Sequence, residues 1–514
     1  MELKINRETV PAAECIYEAV QEQGIELDYI LPDYYPDIFR LVRCEVTPAV
    51  TDCKVSGGKL SYELNCDVRI LYCGEDGSAM RCVSQRQTFS KTADIGVDTV
   101  SPEIKIVPKT DYVSYRAVNK RRLDMRGAVS VNIRISAEKP QEVVSDAVGM
   151  NIQLKKTPVR YAAKKICVNK SVQLSEETEL SEIQPSVLGI VSCQCVADEC
   201  ELKMISGKLL AKGEADVKLL YSCEKDGAGA IEPLSFSLPY SQIIDIDGAD
   251  DTFNCTVTPE VVSCEVISSG GDNRTLKCDI ELRLVCCAVK TASAMLCTDA
   301  YSTVYPCETV ISDIRTEQIP NMHTESFRHS AKLAEGDDVP QTIYAVWCTP
   351  KNINTHRGDD GKSVVISGML TYSMAAKDKS GMIIMPDRDE AFEETLALPS
   401  EYADCNVSAQ IAAGEVSYNI SAEGVLTVRT DITAKLSLSD CGMISAVTDI
   451  MVDDSVKKQR DGDYAVKLYY GSADEDVWDI AKRYSTSAQA VMEENELGSE
   501  TLSDGGMLLI PIVT

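Results

Sequence analysis

Aromatic residues are scarce in this 514-residue chain, which has only two Trp and six Phe. Buried cores must therefore be built mainly from Val, Ile, Leu, Ala and Cys. The sequence also lacks an apolar run long enough to span a membrane. Its first twenty residues alternate charged and apolar side chains, without the apolar stretch of a signal peptide. We therefore expect no membrane insertion and a cytoplasmic location.

Basic residues are too few to balance the acidic ones, with 51 Lys and Arg against 80 Asp and Glu and a formal net charge of −29. A charge of this sign repels phosphate backbones and anionic lipid headgroups. The densest basic run, Lys120-Arg121-Arg122, is interpreted as part of a hairpin in which it solvates a turn. The charge predicts that neither nucleic acid nor a membrane surface is a partner.

Histidine is nearly absent, because the chain contains only His323, His329 and His356. Chemistry based on Ser-His or Cys-His pairs would have few general bases to draw on. His323 and His329 fall in a polar stretch that we interpret as a connector, and they are expected to be solvated there. The sequence therefore predicts a protein that is not an enzyme and that needs no cofactor.

The 21 Cys residues contain no Cys-x-x-Cys pair, so no zinc-knuckle or thioredoxin-like motif is indicated. The closest spacings are Cys193-x-Cys195 and Cys286-Cys287, and neither makes a ligand set in a strand. Burial of reduced thiols in the cores is the favoured interpretation, with no metal bound. Oxidative cross-linking is a secondary possibility if the protein meets an oxidant.

An internal repeat organises the chain, which at this length is too long for one hydrophobic core. Segment 36–72 matches segment 185–221 without a gap: Cys44 corresponds to Cys193 and Tyr72 to Tyr221, each 149 positions later. A weaker third copy begins at Lys362. A second hairpin follows in each copy, and its three versions begin with Val113-Ser114-Tyr115, Val262-Ser263-Cys264 and Val416-Ser417-Tyr418.

The repeated segments alternate apolar and polar side chains, which is typical of antiparallel sheets with one buried face. Acidic turns that contain glycine, at 74–77 and 224–227, favour tight hairpins. Short helices are predicted only at Glu14 to Gln23 and Asp94 to Val97 before the C-terminal region. The predicted fold is mainly β, with three tandem antiparallel β-sandwich-like modules followed by a small β-α-α-β domain. The predicted divisions are an N-terminal segment 1–30, module 1 at 31–150, module 2 at 160–310, a divergent module 3 at 325–455 and the C-terminal unit at 462–514.

Helical spacing appears in the C-terminal unit. Apolar residues at i, i+3, i+4 and i+7 form one stripe of a first helix, and Asp476 precedes it as an N-cap. Ser487 is placed to cap a second helix, which ends near Asn495. Strands are predicted at Tyr464 to Leu468 and at Met507 to Ile510. The residues expected to form the small core are Val477, Trp478, Ile480, Ala481, Tyr484, Val491, Met492 and Ile510.

The C-terminal unit resembles a LysM domain. The matching motifs, in order, are Tyr464-x-Val466, Trp478-Asp479-Ile480-Ala481, Asn495-Glu496-Leu497, Leu502 with Gly505, and Ile510-Pro511. The resemblance implies binding of glycans that contain N-acetylglucosamine, in a groove between the loop before the first helix and the loop after the second. The loop residues carried over as ligand- or partner-binding are Asp474, Glu475, Asp476 and Val477, with Asn495, Glu496, Leu497 and Gly498.

The first loop departs from the usual LysM sequence. It reads Glu475-Asp476-Val477-Trp478 where the family has Gly-Asp-Thr-Leu-Trp, so acidic residues stand where glycine and threonine would approach a sugar. Additional carboxylates favour a basic protein surface over a neutral sugar. A protein partner and a peptidoglycan ligand therefore both remain as hypotheses.

The chain as a whole resembles the SPOCS-domain proteins of spore-forming Clostridia, in which several β modules precede one C-terminal LysM domain. The resemblance rests on Pro36-Asp37-Ile38, on the strands that lead into Leu71-Tyr72 and Leu220-Tyr221, and on the sequence from Trp478 onward. It implies a spore coat morphogenetic protein that is made in the mother cell and lies at the forespore surface. There, its LysM domain would help to bind stage IV sporulation protein A, the ATPase of the coat basement layer, or other coat proteins.

The expected function is therefore that of a non-enzymatic adaptor or scaffold in spore coat assembly. The alternative is a peptidoglycan-binding protein of the cell wall or spore cortex. An accessory subunit of a hydrolase is a distant third hypothesis, because it requires a catalytic partner for which the sequence gives no indication.

Overall fold

The computed structural model describes residues 3–74, 80–97, 99, 102–205, 207–225, 227–315, 320–398, 406–439, 443–459 and 465–511. Within them the chain is mainly β, with antiparallel sheets in series and a small C-terminal unit that holds two helices. The predicted fold class is confirmed. The turns predicted at 74–77 and 224–227 lie partly outside the described residues, as does Tyr464 at the start of a predicted strand.

Module 1 consists of six long strands in two three-stranded sheets. The strands are β1 (Lys4–Ile30), β2 (Ile38–Ser56), β3 (Lys59–Gly74), β4 (Arg81–Asp94), β5 (Glu103–Asn119) and β6 (Arg122–Val148). One sheet has the order β2-β3-β4 and the other β1-β6-β5, with antiparallel pairing throughout. Side chains of β3 alternate between buried and more exposed positions, so one face of its sheet packs on the core.

The turn between β2 and β3 shows why glycine is needed in this sequence. Ser56 pairs directly with Lys59, which leaves only Gly57 and Gly58 in the loop. Both have positive φ angles, 58° and 72°, which residues with a Cβ adopt only with strain. A two-residue loop of this kind matches the right-handed twist of the flanking strands and fixes the register of the hairpin.

Module 2 repeats the same architecture. Its strands are β7 (Ile152–Glu179), β8 (Gly189–Ile205), β9 (Lys208–Lys225), β10 (Ala228–Asp245), β11 (Asn254–Ser269) and β12 (Thr275–Ser302). The sheet orders β10-β9-β8 and β11-β12-β7 correspond to those of module 1. Its core lies between the two sheets and is built mainly from Leu, Val, Ile, Ala and Cys, as the scarcity of aromatic residues predicts.

Module 3 is the divergent copy. Its strands are β13 (Cys307–Arg315), β14 (Pro320–Glu335), β15 (Thr342–Arg357), β16 (Ser363–Lys377), β17 (Ile383–Ile384), β18 (Asp387–Ala397), β19 (Asn406–Ile420), β20 (Val425–Ser439) and β21 (Met443–Val452). In one sheet β15, β17 and β18 pair with β16, and in the other the order is β14-β20-β19. A separate pairing of β13 with β21 takes the place of the outer halves of β1 and β6. A 3-10 turn at Gly336–Asp338 follows β14.

Both short helices predicted before the C-terminal unit are wrong. Residues 14–23 lie inside β1, which pairs with β6 from Lys4 to Ile30, so residues 4–30 belong to the sheet of module 1. Asp94 ends β4, and the residues that follow it form no helix. Pairing with β6 along nearly the whole of β1 satisfies the backbone hydrogen bonds on one edge of this strand, and this tertiary gain outweighs a weak local preference for helix.

The connector predicted around His323 and His329 is also wrong, because both lie in β14. His323 is partly buried, with Nε2 2.9 Å from a carboxylate oxygen of Glu325. The Nδ1 atom of His329 is 2.8 Å from the hydroxyl of Tyr372, and burial lowers the pKa of this imidazole. The strand is mostly polar because only part of one face contacts the core, which hid its alternation in the sequence.

Arg121 does more than solvate a turn. Its guanidinium donates to the backbone oxygens of Leu31 (2.9 Å), Pro32 (2.6 Å) and Tyr35 (2.7 Å), and it forms an ion pair with Asp37 at 3.0 Å. It thereby holds the loop between β1 and β2 against the turn between β5 and β6. These acceptors lie about ninety positions away in the sequence, so local sequence predicts only a solvated turn.

The three modules pack against one another and do not form a linear chain of separate domains. Corresponding positions of β3, β9 and β16, occupied by Leu71, Leu220 and Ala375, meet in one buried cluster. Farther along, the paired strands β1 with β6, β7 with β12, and β13 with β21 share two more buried clusters. Modules 1 and 3 also contact each other directly. Their ion pairs are Arg43 with Asp387 at 2.9 Å and Arg7 with Asp449 at 2.7 Å.

The C-terminal unit has the predicted β-α-α-β order. Its elements are β22 (Val466–Gly471), α1 (Val477–Tyr484), α2 (Ala488–Glu494) and β23 (Gly506–Pro511), and the two strands are antiparallel. Both predicted N-caps are confirmed: Asp476 accepts from the backbone N–H of Trp478 at 2.8 Å, and Ser487 from that of Ala490 at 3.4 Å. Among the described residues, no helix combines the length and apolar character that crossing a membrane requires.

Candidate partner-binding surface of the C-terminal unit

The first predicted binding loop is held largely by contacts inside the C-terminal unit. The carboxylate of Glu475 accepts hydrogen bonds from the hydroxyl of Tyr469 at 2.7 Å and from the N–H of Ser472 at 3.1 Å. The bond from Tyr469 is the main reason that the pKa of Glu475 is lowered. Asp474 is exposed and has a positive φ of 65°, whereas Val477 is fully buried. Only Asp474 in this loop therefore points freely to solvent.

Asp476 has two structural roles. One carboxylate oxygen caps α1, and the other forms an ion pair with Lys155 of β7 in module 2. Burial alone would raise the pKa of Asp476, but the contact with Lys155 and the bond from the Trp478 N–H lower it overall. This residue, predicted to bind a ligand, is already occupied by another part of the same chain.

The second predicted loop is also anchored internally. The side-chain amide of Asn495 donates to the carbonyls of Val491 (2.8 Å) and Leu509 (2.7 Å), and its oxygen accepts from the N–H of Leu509 at 2.7 Å. Asn495 therefore fastens the end of α2 to β23. Leu497 packs against the core of the unit, while Glu496 and Gly498 are exposed.

The first predicted loop lies beside the segment that follows the second one. The first loop bonds to the segment 500–502, through Val477 N–H to the Glu500 carbonyl at 2.8 Å and Asp474 N–H to the Leu502 carbonyl at 2.9 Å. A shallow groove beside α2 includes residues of the second loop but none of the first. Its lining residues are Ala488, Gln489, Met492, Glu493, Glu496, Leu497 and Glu500.

The predicted core residues lie where the sequence placed them. Ile480, Ala481 and Ile510 are completely buried, and Tyr484 is half-buried against Tyr469 with ring centroids 5.5 Å apart. Trp478 is 7% exposed. Its ring, however, meets an aromatic residue from outside the unit, because the centroid of Tyr301 in module 2 lies 4.8 Å away in an edge-to-face arrangement.

The C-terminal unit is docked on the end of β12 through two residues that sequence reasoning missed. Asp299 accepts from the indole N–H of Trp478 at 2.8 Å and from the ammonium of Lys482 at 2.6 and 2.8 Å. The hydroxyl of Tyr301, which is 2% exposed, donates to the carbonyl of Thr486 at 2.7 Å. A signal for this contact exists in the repeat, because module 1 has Ser-Asp-Ala-Val (145–148) where module 2 has Thr-Asp-Ala-Tyr (298–301).

An exposed apolar face on the β22–β23 hairpin is the second feature that sequence reasoning missed. Leu468, Tyr470 and Met507 are 63%, 75% and 67% exposed. Leu468 is paired with Leu509 across the hairpin and Tyr470 with Met507, so these side chains form one patch on the side away from the helices. Val466 extends it. We call this patch, made of Val466, Leu468, Tyr470, Met507 and Leu509, the apolar face.

A metal centre is not formed by the part of the chain that the structure describes, where no three His, Cys, Asp or Glu side chains are grouped suitably.

One known family matches part of the chain. Residues 186–267 match the family model described as the SPOCS domain of SipL. This stretch includes β8, β9 and β10, which form one sheet of module 2, and nearly all of β11. The chain is thus a protein with a SPOCS domain, which supports a role related to sporulation. No curated protein and no solved structure matches it.

Proposed function

We propose that this protein is a non-enzymatic adaptor in spore coat assembly, and that its C-terminal unit binds a protein of the coat basement layer through the apolar face. The observation that carries the proposal is the exposure of five apolar side chains on one side of a two-stranded sheet. Exposed apolar patches of this kind, with an aromatic residue among them, are typical of protein interfaces.

The internal contacts of the predicted sugar loops support a protein ligand over a glycan. Asp476 is engaged with Lys155, and Asn495 is engaged with the backbone of β23. A sugar would have to compete with these bonds for the same polar groups. The apolar face needs no such exchange, because it is made mainly of hydrocarbon side chains.

The modules are proposed to act as the body of the adaptor. Their packing around shared buried clusters gives a body on which the C-terminal unit is docked at Asp299 and Tyr301. The partner that the family resemblance suggests is stage IV sporulation protein A, at the forespore surface inside the mother cell. Its matching surface should be apolar, and its surroundings basic, because this chain carries a net charge of −29.

The test is a double substitution, Leu468→Asp with Tyr470→Asp, in the full-length chain. Two charges on the apolar face should weaken binding to purified stage IV sporulation protein A about tenfold or more, because they would be desolvated in the interface. The melting temperature should stay unchanged, since both side chains already face water. Binding is measured by biolayer interferometry and folding by circular dichroism.

The matched control is Ile183→Asp, which places a charge on an apolar side chain that is 95% exposed in module 2. It should leave binding intact. Co-sedimentation with purified peptidoglycan forms the second arm of the test. Retention of the wild-type chain on peptidoglycan, with unchanged ATPase binding by the double variant, would favour the cell-wall alternative and overturn the proposal.

A further inference from the structure

Two thiols of module 2 face each other across its sandwich. Cys193 lies in β8 of one sheet and Cys264 in β11 of the other, and their Sγ atoms are 3.4 Å apart. Both side chains are half-buried, and the thiols of Cys195 and Cys278 also lie close to Cys264. The sulfur atoms of a disulfide are about 2.05 Å apart, so side-chain rotation would have to bring the two sulfurs about 1.4 Å closer.

Cys193 is the thiol of the pair with a cationic neighbour, the guanidinium of Arg69, which favours its thiolate form. A hydrogen bond from Cys264 lowers the pKa of Cys193 against the opposing effect of burial, and the guanidinium of Arg69 lowers it further. The same contacts with neighbouring thiols raise the pKa of Cys264. Arg69 belongs to β3 of module 1, and it is fixed beside this site by a 3.0 Å bond to the Val191 carbonyl. A thiolate next to a neutral thiol is the arrangement in which oxidation to a disulfide begins.

We propose that Cys193 and Cys264 are a peroxide-responsive pair, and that their oxidation joins the two sheets of module 2 by a covalent bond. The Cys193 thiolate attacks hydrogen peroxide, which breaks the O–O bond, gives a sulfenic acid and releases hydroxide, and this hydroxide takes up the proton that the Cys193 thiol lost. The Cys264 thiol then attacks that sulfur, the S–O bond breaks and water leaves. Two thiols and one peroxide thus become one disulfide and two waters, with the sulfurs oxidised and the peroxide reduced.

The repeat supplies an internal comparison for this site. Cys44 of module 1 corresponds to Cys193, and 149 residues before Cys264 the chain has Tyr115, which lies near Cys44. Module 1 therefore has the first thiol without the second. Module 2 has a second pair, Cys167 and Cys287, on neighbouring strands of one sheet, with Sγ atoms 3.7 Å apart. The contact with Cys167, together with burial, raises the pKa of Cys287.

The experiment treats the reduced full-length chain with a small excess of hydrogen peroxide, followed by differential alkylation and peptide mass spectrometry. A disulfide between Cys193 and Cys264 is expected. It closes a loop that spans 71 positions, so the melting temperature should rise by about 5 °C or more and return on addition of dithiothreitol. This first measurement uses the unaltered chain, so it does not depend on the folding of a variant.

Variants then test the assignment. Cys193→Ser and Cys264→Ala should each abolish the disulfide and the shift in melting temperature, while Cys44→Ser, the matched control, should leave both in place. Arg69→Gln should slow the reaction with peroxide several-fold. The proposal fails if peroxide joins Cys167 to Cys287 instead, if Cys264 pairs with Cys195 or Cys278, or if no disulfide forms.

Discussion

Modules 1 and 2 are two copies of one pattern, and they are most alike where they stabilise themselves. Arg121 in module 1 and Arg274 in module 2 each bind three backbone carbonyls of the loop between the first two strands. The carbonyls belong to Leu31, Pro32 and Tyr35 in module 1, and to Leu180, Ser181 and Gln184, each 149 positions later, in module 2. The arginine clamp is thus part of the repeated unit.

The copies differ where their long strands end. In module 1, Asp146 forms an ion pair with Lys156 of module 2 at 2.8 Å, and Val148 is 63% exposed. At the corresponding positions of module 2, Asp299 binds Trp478 and Lys482, and Tyr301 is buried under the C-terminal unit. The end of the last long strand thus contacts the next module in module 1, whereas in module 2 it binds the C-terminal unit.

The difference between the two modules can be tested by substitution, and the largest loss of stability should come from Trp478→Ala. Loss of a buried aromatic typically costs about 3–5 kcal/mol, and the C-terminal unit has little other core. We expect α1 and α2 to lose protection in hydrogen exchange while strands of modules 1 and 2 keep theirs. Val148→Ala, at the uncovered end of module 1, is the control and should change the free energy of unfolding by less than about 0.5 kcal/mol. Equal loss of protection in β3 and β9 would show that the unit is not a separate element.

A smaller effect is expected from removing the arginine clamp. Arg121→Ala and Arg274→Ala should each lower the free energy of unfolding by about 2–3 kcal/mol, because a charged donor is lost and several carbonyls lose their partner. Urea unfolding of the two variants measures this. Module 3 has Gly424 at the corresponding position and an exposed ion pair of Lys379 with Asp337 nearby. Lys379→Ala should therefore cost less than about 0.5 kcal/mol, and a larger cost there would remove the contrast between the modules.

The smallest change in stability is expected at Tyr72 and Tyr221, which occupy the same position in the two repeats. The hydroxyl of Tyr72 donates to the carbonyl of Pro36 at 3.2 Å, whereas the buried hydroxyl of Tyr221 has no hydrogen-bond partner among the described residues, and burial raises its pKa to about 12. Tyr72→Phe should cost about 1 kcal/mol, and Tyr221→Phe should be neutral or slightly stabilising. Thermal unfolding of both variants measures these changes. Equal losses of stability in the two variants would contradict the predicted difference between the tyrosines.

The sequence was sufficient for features that depend on local pattern. The spacing of 149 residues and the alternation of side chains predicted the β modules, and the positions of Asp476 and Ser487 predicted both helix caps. Features that depend on residues distant in the sequence could not be predicted. Residues 14–23 form a strand because β6, more than a hundred positions away, pairs with them, and the role of Asp299 depends on Trp478.

The apolar face proposed to bind a partner and the loops predicted from the sequence lie in the same unit but consist of largely different residues. Asp476 and Asn495 match the loop motifs by which the sequence resembles a LysM domain. The polar side-chain atoms of both residues, however, bind other residues of the same chain. The apolar face was missed because the alternation from Val466 to Tyr470 is that of an ordinary strand with one buried face. Burial of the other face would require a further layer of structure packed on the hairpin. That layer is absent from the described residues.

The contact of modules 1 and 3 has a mechanical consequence. The ends of the repeat series are joined by Arg43 with Asp387 and by Arg7 with Asp449, and the C-terminal unit rests on module 2 instead of its sequence neighbour. A tether fixed to the C-terminal unit would therefore pull on module 2 through this docking contact as well as on module 3 through the backbone. In a linear series of modules, the same load would enter through the last module alone.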